Sequence, residues 1–439
     1  MKASSIVLIC CIMVARSVLA EEAKSLEECI ELALQHHPSL RAGVARVRAA
    51  EERTRQVASA YLPQIDATYA ANRRSTSVAA RTGTTLGTAT QTFNFFNTGV
   101  SFSQLLFDFG QTFHNLQAAQ AQVEASMADL DSQKETVIFN VKQAYFALLS
   151  AERLQEVAVE ALRQSEKHLE LAKGRYDVGL APRLDVTREQ AQVATNQLNV
   201  LRAENNLRLG RETLRNAMGM REPVTFALRD VPYTTLEAES AEELVQQAWL
   251  QRPEIQSLEA QIRAAEQQLL ALERNHLPVL TGAGQYQWSG AEFPLQPNWN
   301  IGAALTLPLF RGGLTVSQVS EARQNLAALR HDAEVLRQTV ALEVRQAVLR
   351  VEEAAKTIHV AREAVRQARE ALELAEGRYA TGVGSIIEVT DAQATFVSAR
   401  GQEVQSLYDH QNAVAAVERA IGAGISLGQR LSSGERSEQ

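Results

Sequence analysis

Aromatic residues make up only 5% of this 439-residue chain, and it holds just 10 prolines and 3 cysteines. Large compact enzymes pack around Phe, Tyr and Trp, so their scarcity disfavours a single α/β domain. Positive charge is also short: 44 basic against 51 acidic residues leave a net charge of −7. No basic arm or stripe offsets it, and phosphate contact needs clustered cations, so nucleic acid is not an expected partner. After the first twenty residues no apolar run reaches the roughly 18 residues a membrane helix needs, so any membrane insertion must use strands.

Signatures of enzyme chemistry are missing too. The sequence has no His-Glu-x-x-His, no Cys-x-x-Cys and no glycine-rich loop between a strand and a helix, so no catalytic residue, cofactor or metal is expected. His36-His37 precedes Pro38 at a helix end and reads as a cap or surface pair. Gly282-Ala283-Gly284 falls in a strand pattern and is no phosphate cradle. Cys29 lies on the apolar side of a short helix, where a lone thiol packs as a small hydrophobe.

What is present is the vocabulary of long helices, Ala, Leu, Gln, Glu and Arg. The first residues read as a secretory leader: Lys2, an apolar run from Ile6 to Val14, and Val18-Leu19-Ala20 before Glu21, with cleavage expected after Ala20. Cys10 and Cys11 leave with residues 1–20, and the single remaining Cys29 cannot form an internal disulfide.

The mature chain repeats itself once. LEECIELALQHHP at 26–38 aligns with AEELVQQAWLQRP at 241–253, and this offset of 215 persists to Leu62-Pro63 and Leu277-Pro278. From Phe107 and Phe310 onward the offset is 203. It holds through LAKGRYDVGLAPRLDVTREQA at 171 and LAEGRYATGVGSIIEVTDAQA at 374, where 10 of 21 positions are identical. The repeats are thus expected over 21–230 and 231–425, with a polar tail at 426–439.

The ungapped part of each repeat reads as helix. Ile358, Ala361, Val365, Ala368, Leu372, Ala375 and Tyr379 are spaced 3,4,3,4,3,4, a heptad seam. The same register in the first repeat selects Gln155, Ala158, Leu162, Ser165, Leu169, Ala172 and Tyr176. Upstream, Ala333, Leu336, Val340, Val344, Ala347 and Val351 insert an extra four-residue step, which locally unwinds a left-handed supercoil. Long helices are expected at about 111–173 and 313–377, each a rod of roughly 95 Å at 1.5 Å per residue. Glycine turns at Gly179-Leu180 and Gly382-Val383 end them, and return helices follow at about 183–218 and 385–421. The returns are half as long as the rods, so the short helices at 39–60 and 254–275 are expected to stack on them.

Between Pro63 and Phe107, and again between Pro278 and Leu309, the period changes to two. Trp299, Ile301, Ala303, Leu305 and Leu307 alternate with polar or small residues, as do Ile65, Ala67 and Tyr69. Two strand hairpins, about 64–107 and 279–309, are expected. Alternation alone leaves open whether they face lipid or cap a soluble bundle. Four strands cannot close a barrel, so if they span a membrane the chain must oligomerise.

The duplicated organisation, the Leu-Pro junctions, LLFDFG and LPLFRGG opening the long helices, and GRY-x-x-G at the tips resemble the TolC family of outer-membrane efflux proteins. The resemblance covers essentially the whole mature chain. It implies a mainly α protein with membrane β structure, in which long antiparallel coiled-coil hairpins form a trimeric periplasmic α-barrel tunnel. Four strands per chain would contribute to a 12-stranded outer-membrane β-barrel embedded in lipid. It also implies a passive exit duct of an efflux pump or type I secretion system, a homotrimer working with an inner-membrane transporter and a periplasmic adaptor. The adaptor would meet the tip turns Gly179, Leu180, Gly382 and Val383. Tyr379, Glu388, Asp391 and Asp185 match the family's aperture positions, and Glu388 and Asp391 from three chains would bring six carboxylates together, which would favour cations. Gly384 departs from the pattern, since some members carry a basic residue there that links neighbouring helices. The alternative class is a soluble periplasmic coiled-coil adaptor or scaffold, which would also carry a leader and helical hairpins.

Overall fold

The computed structural model describes residues 23–77, 90–231 and 240–424; the expected leader at 1–20 and tail at 426–439 lie outside the described residues. Each repeat has the same order of elements. In the first, α1 (Leu26–His36) and α2 (Pro38–Ala58) precede strands β1 (Gln64–Ser77) and β2 (Thr90–Phe107), the long helix α3 (Gln111–Asp177) and its return α4 (Arg183–Ala217). In the second, α5 (Ala241–Gln251), α6 (Pro253–Arg274), β3 (Val279–Gly290), β4 (Gln296–Thr306), α7 (Leu314–Ala380) and α8 (Ile386–Ile421) repeat the plan. No described helix is long and apolar enough to cross a membrane.

Local chemistry sets the boundaries. Ser25 caps α1 by accepting from the Glu28 amide, and Ser240 with Glu243 forms a reciprocal capping box on α5. His37 caps α2, its Nδ1 accepting from the Ser39 amide at 3.2 Å, with Pro38 at the first helical position. Asp108, buried ahead of α3, accepts from the Gly110 amide at 3.0 Å and the Thr112 amide at 2.6 Å, so it ties down amides that the helix start leaves unpaired. The long helices each run 67 residues, about 100 Å, and continue through the Gly-Arg-Tyr motif that had been placed at their ends.

The core is a string of clusters along these rods. Around mid-height, Leu26, Cys29, Leu40, Val141, Tyr145 and Leu214 pack together, and Leu244, Ile255, Val340, Val344 and Val417 form the second repeat's version. Val141 and Val344, or Leu214 and Val417, are the same position at the 203 offset. The Tyr145 hydroxyl donates to the Arg229 carbonyl at 2.5 Å, also lies 3.1 Å from the Lys24 carbonyl, and so fastens the paired backbone at Lys24 and Leu228 to α3. Short helices meet returns end to end: a Cβ at Gly219 would lie 2.8 Å from His37 Cα, and one at Gly422 would lie 3.2 Å from Arg252 Cα. Only a residue without a side chain permits so close an approach of two helix ends.

The seven seam residues from Ile358 to Tyr379 are all buried. The first repeat departs from the expected register. Its buried line is Ala161, Ser165, His168 and Ala172, while Leu162 and Leu169 are half-buried and Tyr176 is 43% exposed. The reason is that α3 packs against both α4 and α8, so its buried face is rotated toward the other hairpin. Asn196 of α4 and Gln393 of α8 accordingly both donate to the Ala161 carbonyl, each at 3.2 Å.

Candidate functional site

The four strands form one antiparallel sheet in the order β1-β2-β3-β4. Its register shows which side chains of the four strands share a face. Ile65 stands opposite Phe102, Phe102 opposite Gly284 and Gly284 opposite Ile301. The next row of that face holds Ala67, Val100, Tyr286 and Trp299, and the one after it Tyr69, Thr98 and Trp288. Apolar and aromatic side chains from all four strands therefore share one face, since side chains in register project to the same side. The opposite face carries Asp66, Ser101, Gln285 and Asn300 in one row. Gln64 of this polar face also lines a recess of about 870 Å³ between α2, α3 and α6, together with Gln122, Gln261 and Gln268. An amide-rich wall thus continues from the sheet onto the helices.

From Leu280 to Trp288 the apolar face rises eight residues along β3, roughly 27 Å at about 3.4 Å per residue. Tilted as barrel strands are, that is about 20 Å, a little less than the ~25 Å apolar band of outer-membrane strands. Leu307, Leu309 and Phe310, all exposed, extend it toward the helices, and the rings of Phe107 and Phe109 meet edge to face at 4.7 Å on the same border.

At the far end, both tip turns close alike. The Gly179 amide donates to the Tyr176 carbonyl at 2.9 Å and the Leu180 amide to Arg175 at 2.8 Å; Gly382 and Val383 repeat this on Tyr379 and Arg378 at 3.1 and 3.0 Å. Gly179 and Gly382 have φ of 77° and 81°, left-handed values that favour glycine, as this type of helix stop requires. Leu180 and Val383 project outward, 71% and 74% exposed.

Tyr379 is buried where the two hairpins touch. Arg175, from the other repeat, donates to its main-chain carbonyl at 2.6 Å and lays the guanidinium 4.7 Å from the ring centre. Burial pushes the phenol up from its ordinary value; the Asp185 carboxylate adds to the rise and Arg175 opposes it. No hydrogen bond joins Asp185 to Tyr379, whose hydroxyl is buried without a partner. Two further links join the hairpins: Thr390 of α8 donates to the fully buried Glu189 of α4 at 2.8 Å, and His168 lies 3.1 Å from Glu376. Glu388 and Asp391 are exposed one turn apart on α8, but Glu388 is paired with Arg378 at 3.3 Å. Sequence reasoning passed over Arg175, Arg378, Glu189 and the His168–Glu376 contact. The arginine repeated in both Gly-Arg-Tyr motifs was the available signal for two of them. Among the described residues no cluster of three or more His, Cys, Asp or Glu side chains is suited to a metal.

Residues 29–220 and 244–423 both match the sequence profile of the outer membrane efflux protein family. The chain belongs to that family. Among curated relatives, outer membrane protein TolC of Vibrio cholerae is 27% identical over 413 residues, covering 91% of each chain. The pyoverdine export outer membrane protein OpmQ of Pseudomonas aeruginosa is 25% identical over 92% of this chain and 86% of its own. The solved structure of the outer-membrane channel OprN superposes with a TM-score of 0.79 at 20% identity, over 91% of this chain and 90% of that one. As an outer membrane efflux protein, the chain has the channel-tunnel fold and is placed in the outer membrane of a Gram-negative cell with its helices in the periplasm. The soluble adaptor reading falls with that assignment.

Proposed function

We propose that three copies of this efflux protein share one barrel and one tunnel, making a passive exit duct for an efflux pump or secretion system. The observation that carries this reading is the sheet: one face is apolar in register across all four strands, and both edge strands, β1 and β4, lack an outer partner among the described residues. Unpaired backbone in hydrocarbon costs several kcal/mol per group, so such a sheet is tolerated only when further copies complete a closed barrel. Two features support the same assembly along the helices. On α7, Leu342 and Leu349 are 55% and 63% exposed one heptad apart, and α4 exposes Leu198, Leu201 and Leu209. Membership of the family favours three copies, hence 12 strands and 12 tunnel helices.

In this reading residues 1–20 are an export leader, and 21–230 and 231–425 are the two tandem repeats. The apolar sheet face contacts lipid, and the amide-rich face lines the lumen. Leu180 and Val383 beside Gly179 and Gly382 present apolar knobs to a periplasmic adaptor, which couples the duct to an inner-membrane transporter. Glu388 and Asp391 border the aperture, and Tyr379, near Asp185, forms part of the contact that holds it narrow. The duct supplies a path rather than catalysis. The deciding experiment is membrane fractionation of the expressed protein, followed by native mass determination in detergent. A trimer from the outer-membrane fraction is expected; a periplasmic monomer or dimer overturns the reading.

A further inference from the structure

The two Gly-Arg-Tyr arginines, equivalent by the repeat, are used differently. Arg175 crosses to the other hairpin and holds the Tyr379 carbonyl. Arg378 instead folds back over its own tip turn, where its Nε lies 3.3 Å from Glu388 Oε2. The turn wraps tightly around it: the Arg378 carbonyl accepts from the Val383 amide at 3.0 Å and the Gly384 amide at 2.9 Å. A Cβ at residue 384 would lie 2.9 Å from Arg378 Cβ and 3.1 Å from the Tyr379 amide nitrogen, atoms that cannot swing aside. The first repeat carries Ala181 at the equivalent position, and there no ion pair joins Arg175 to Asp185 among the described residues. Gly384, which lacks a basic side chain of its own, therefore leaves space for a basic side chain from six residues earlier.

We propose that Arg378 is a selectivity-determining residue of the aperture: with room provided by Gly384, it neutralises Glu388 and, of the two carboxylates one turn apart on α8, leaves Asp391 uncompensated. This rests on the reading of Glu388 and Asp391 as aperture residues. Both members of the pair are about half exposed, so the pair adds little to stability. Its effect on permeating ions does not depend on a strong bond. A positive charge a few ångströms from a carboxylate reduces it to a dipole, whose potential falls off faster with distance than that of the bare charge. Rings of charged side chains set the ion preference of a narrow mouth. Three chains would then present three uncompensated α8 carboxylates rather than six.

The test is the reversal potential of the full-length protein in planar bilayers under a tenfold KCl gradient, each variant first confirmed by native mass to have the wild-type oligomeric state. Arg378→Gln is expected to raise the potassium-to-chloride permeability ratio about twofold or more. Gly384→Ala should move it in the same direction with the arginine still present, and Arg378→Lys should keep the wild-type ratio. The double variant Arg378→Gln with Glu388→Gln should return toward wild type, and Asp391→Asn alone should lower the ratio. If Asp391→Asn lowers the ratio while Arg378→Gln leaves it unchanged, the aperture stands and the role of Arg378 is overturned. If neither variant changes the ratio, the aperture reading itself fails and the proposal fails with it.

Discussion

Arg175 and Tyr379 lie on different repeats, yet the guanidinium of the first donates to the main-chain carbonyl of the second at 2.6 Å and covers its ring. One side chain thus meets the carbonyl end of the neighbouring long helix, where a positive charge is favourable.

Removing that contact should loosen the tip. A charge-assisted hydrogen bond contributes about 1.5–3 kcal/mol, enough to shift a closed-to-open balance by roughly tenfold or more. Arg175→Ala is expected to raise single-channel conductance or open time at least about twofold, and Arg175→Lys by less. Unchanged channel records for Arg175→Ala would show that this contact does not hold the tip.

The lipid-facing sheet offers a paired test. A Cβ added at Gly284 would overlap the Phe102 ring, whereas one added at Gly302, on the other face, meets nothing within 4 Å. Overpacking of this kind costs about 1–3 kcal/mol. Gly284→Ala should lower the temperature at which the oligomer dissociates in detergent, and Gly302→Ala should leave it within error. Equal effects of the two would mean that the register shown here is wrong.

Exposed leucines on α7 should matter only to assembly. Leu342→Glu combined with Leu349→Glu places charges on a stripe that is exposed in one protomer and covered in the proposed trimer. Helix content by circular dichroism should stay near wild type, while the trimer fraction by native mass falls about tenfold or more. A wild-type trimer fraction would place the protomer contact elsewhere.

Alkaline pH should weaken the mid-height core. Burial pushes the Cys29 thiol up from 9.0 to about 12, with Lys24 opposing and Glu28 and Glu27 adding. Burial likewise raises Tyr145 beside it. The folded state then keeps a proton that the unfolded chain releases from about pH 9, so stability is full below that pH and declines toward pH 12. The melting temperature should fall across that window, and Cys29→Ala should flatten the fall. An identical slope in the variant would remove Cys29 from the explanation.

Much of the helical architecture was legible because the repeat supplies two readings of one plan. The heptad from Ile358 to Tyr379 is buried at all seven positions, since this stretch of α7 packs along α8 with a single period. The same reasoning misplaced Leu162, Leu169 and Tyr176, because this stretch of α3 lies against both α4 and α8 and no single period describes two contact faces. At the tip, Gly179 and Gly382 announced their turns by residue type. The uses of Arg175 and Glu189 did not, because each depends on which residue from a distant part of the chain arrives beside it, and that of Arg378 depends on how its own tip turn folds back.

Period and punctuation in the sequence determined the elements of this protein: two long rods, two returns, two strand hairpins and the turns that join them, all consequences of local geometry. The tertiary structure alone decided which faces meet. Strand register gathered Ile65, Phe102 and Ile301 onto one apolar face, and helix packing sent Arg175 across to Tyr379 while Arg378 stayed with Glu388. Local sequence fixes dihedral preferences over a few residues, whereas these pairings join residues on different elements, brought together across a turn for Arg378 and only by packing of the whole for the rest.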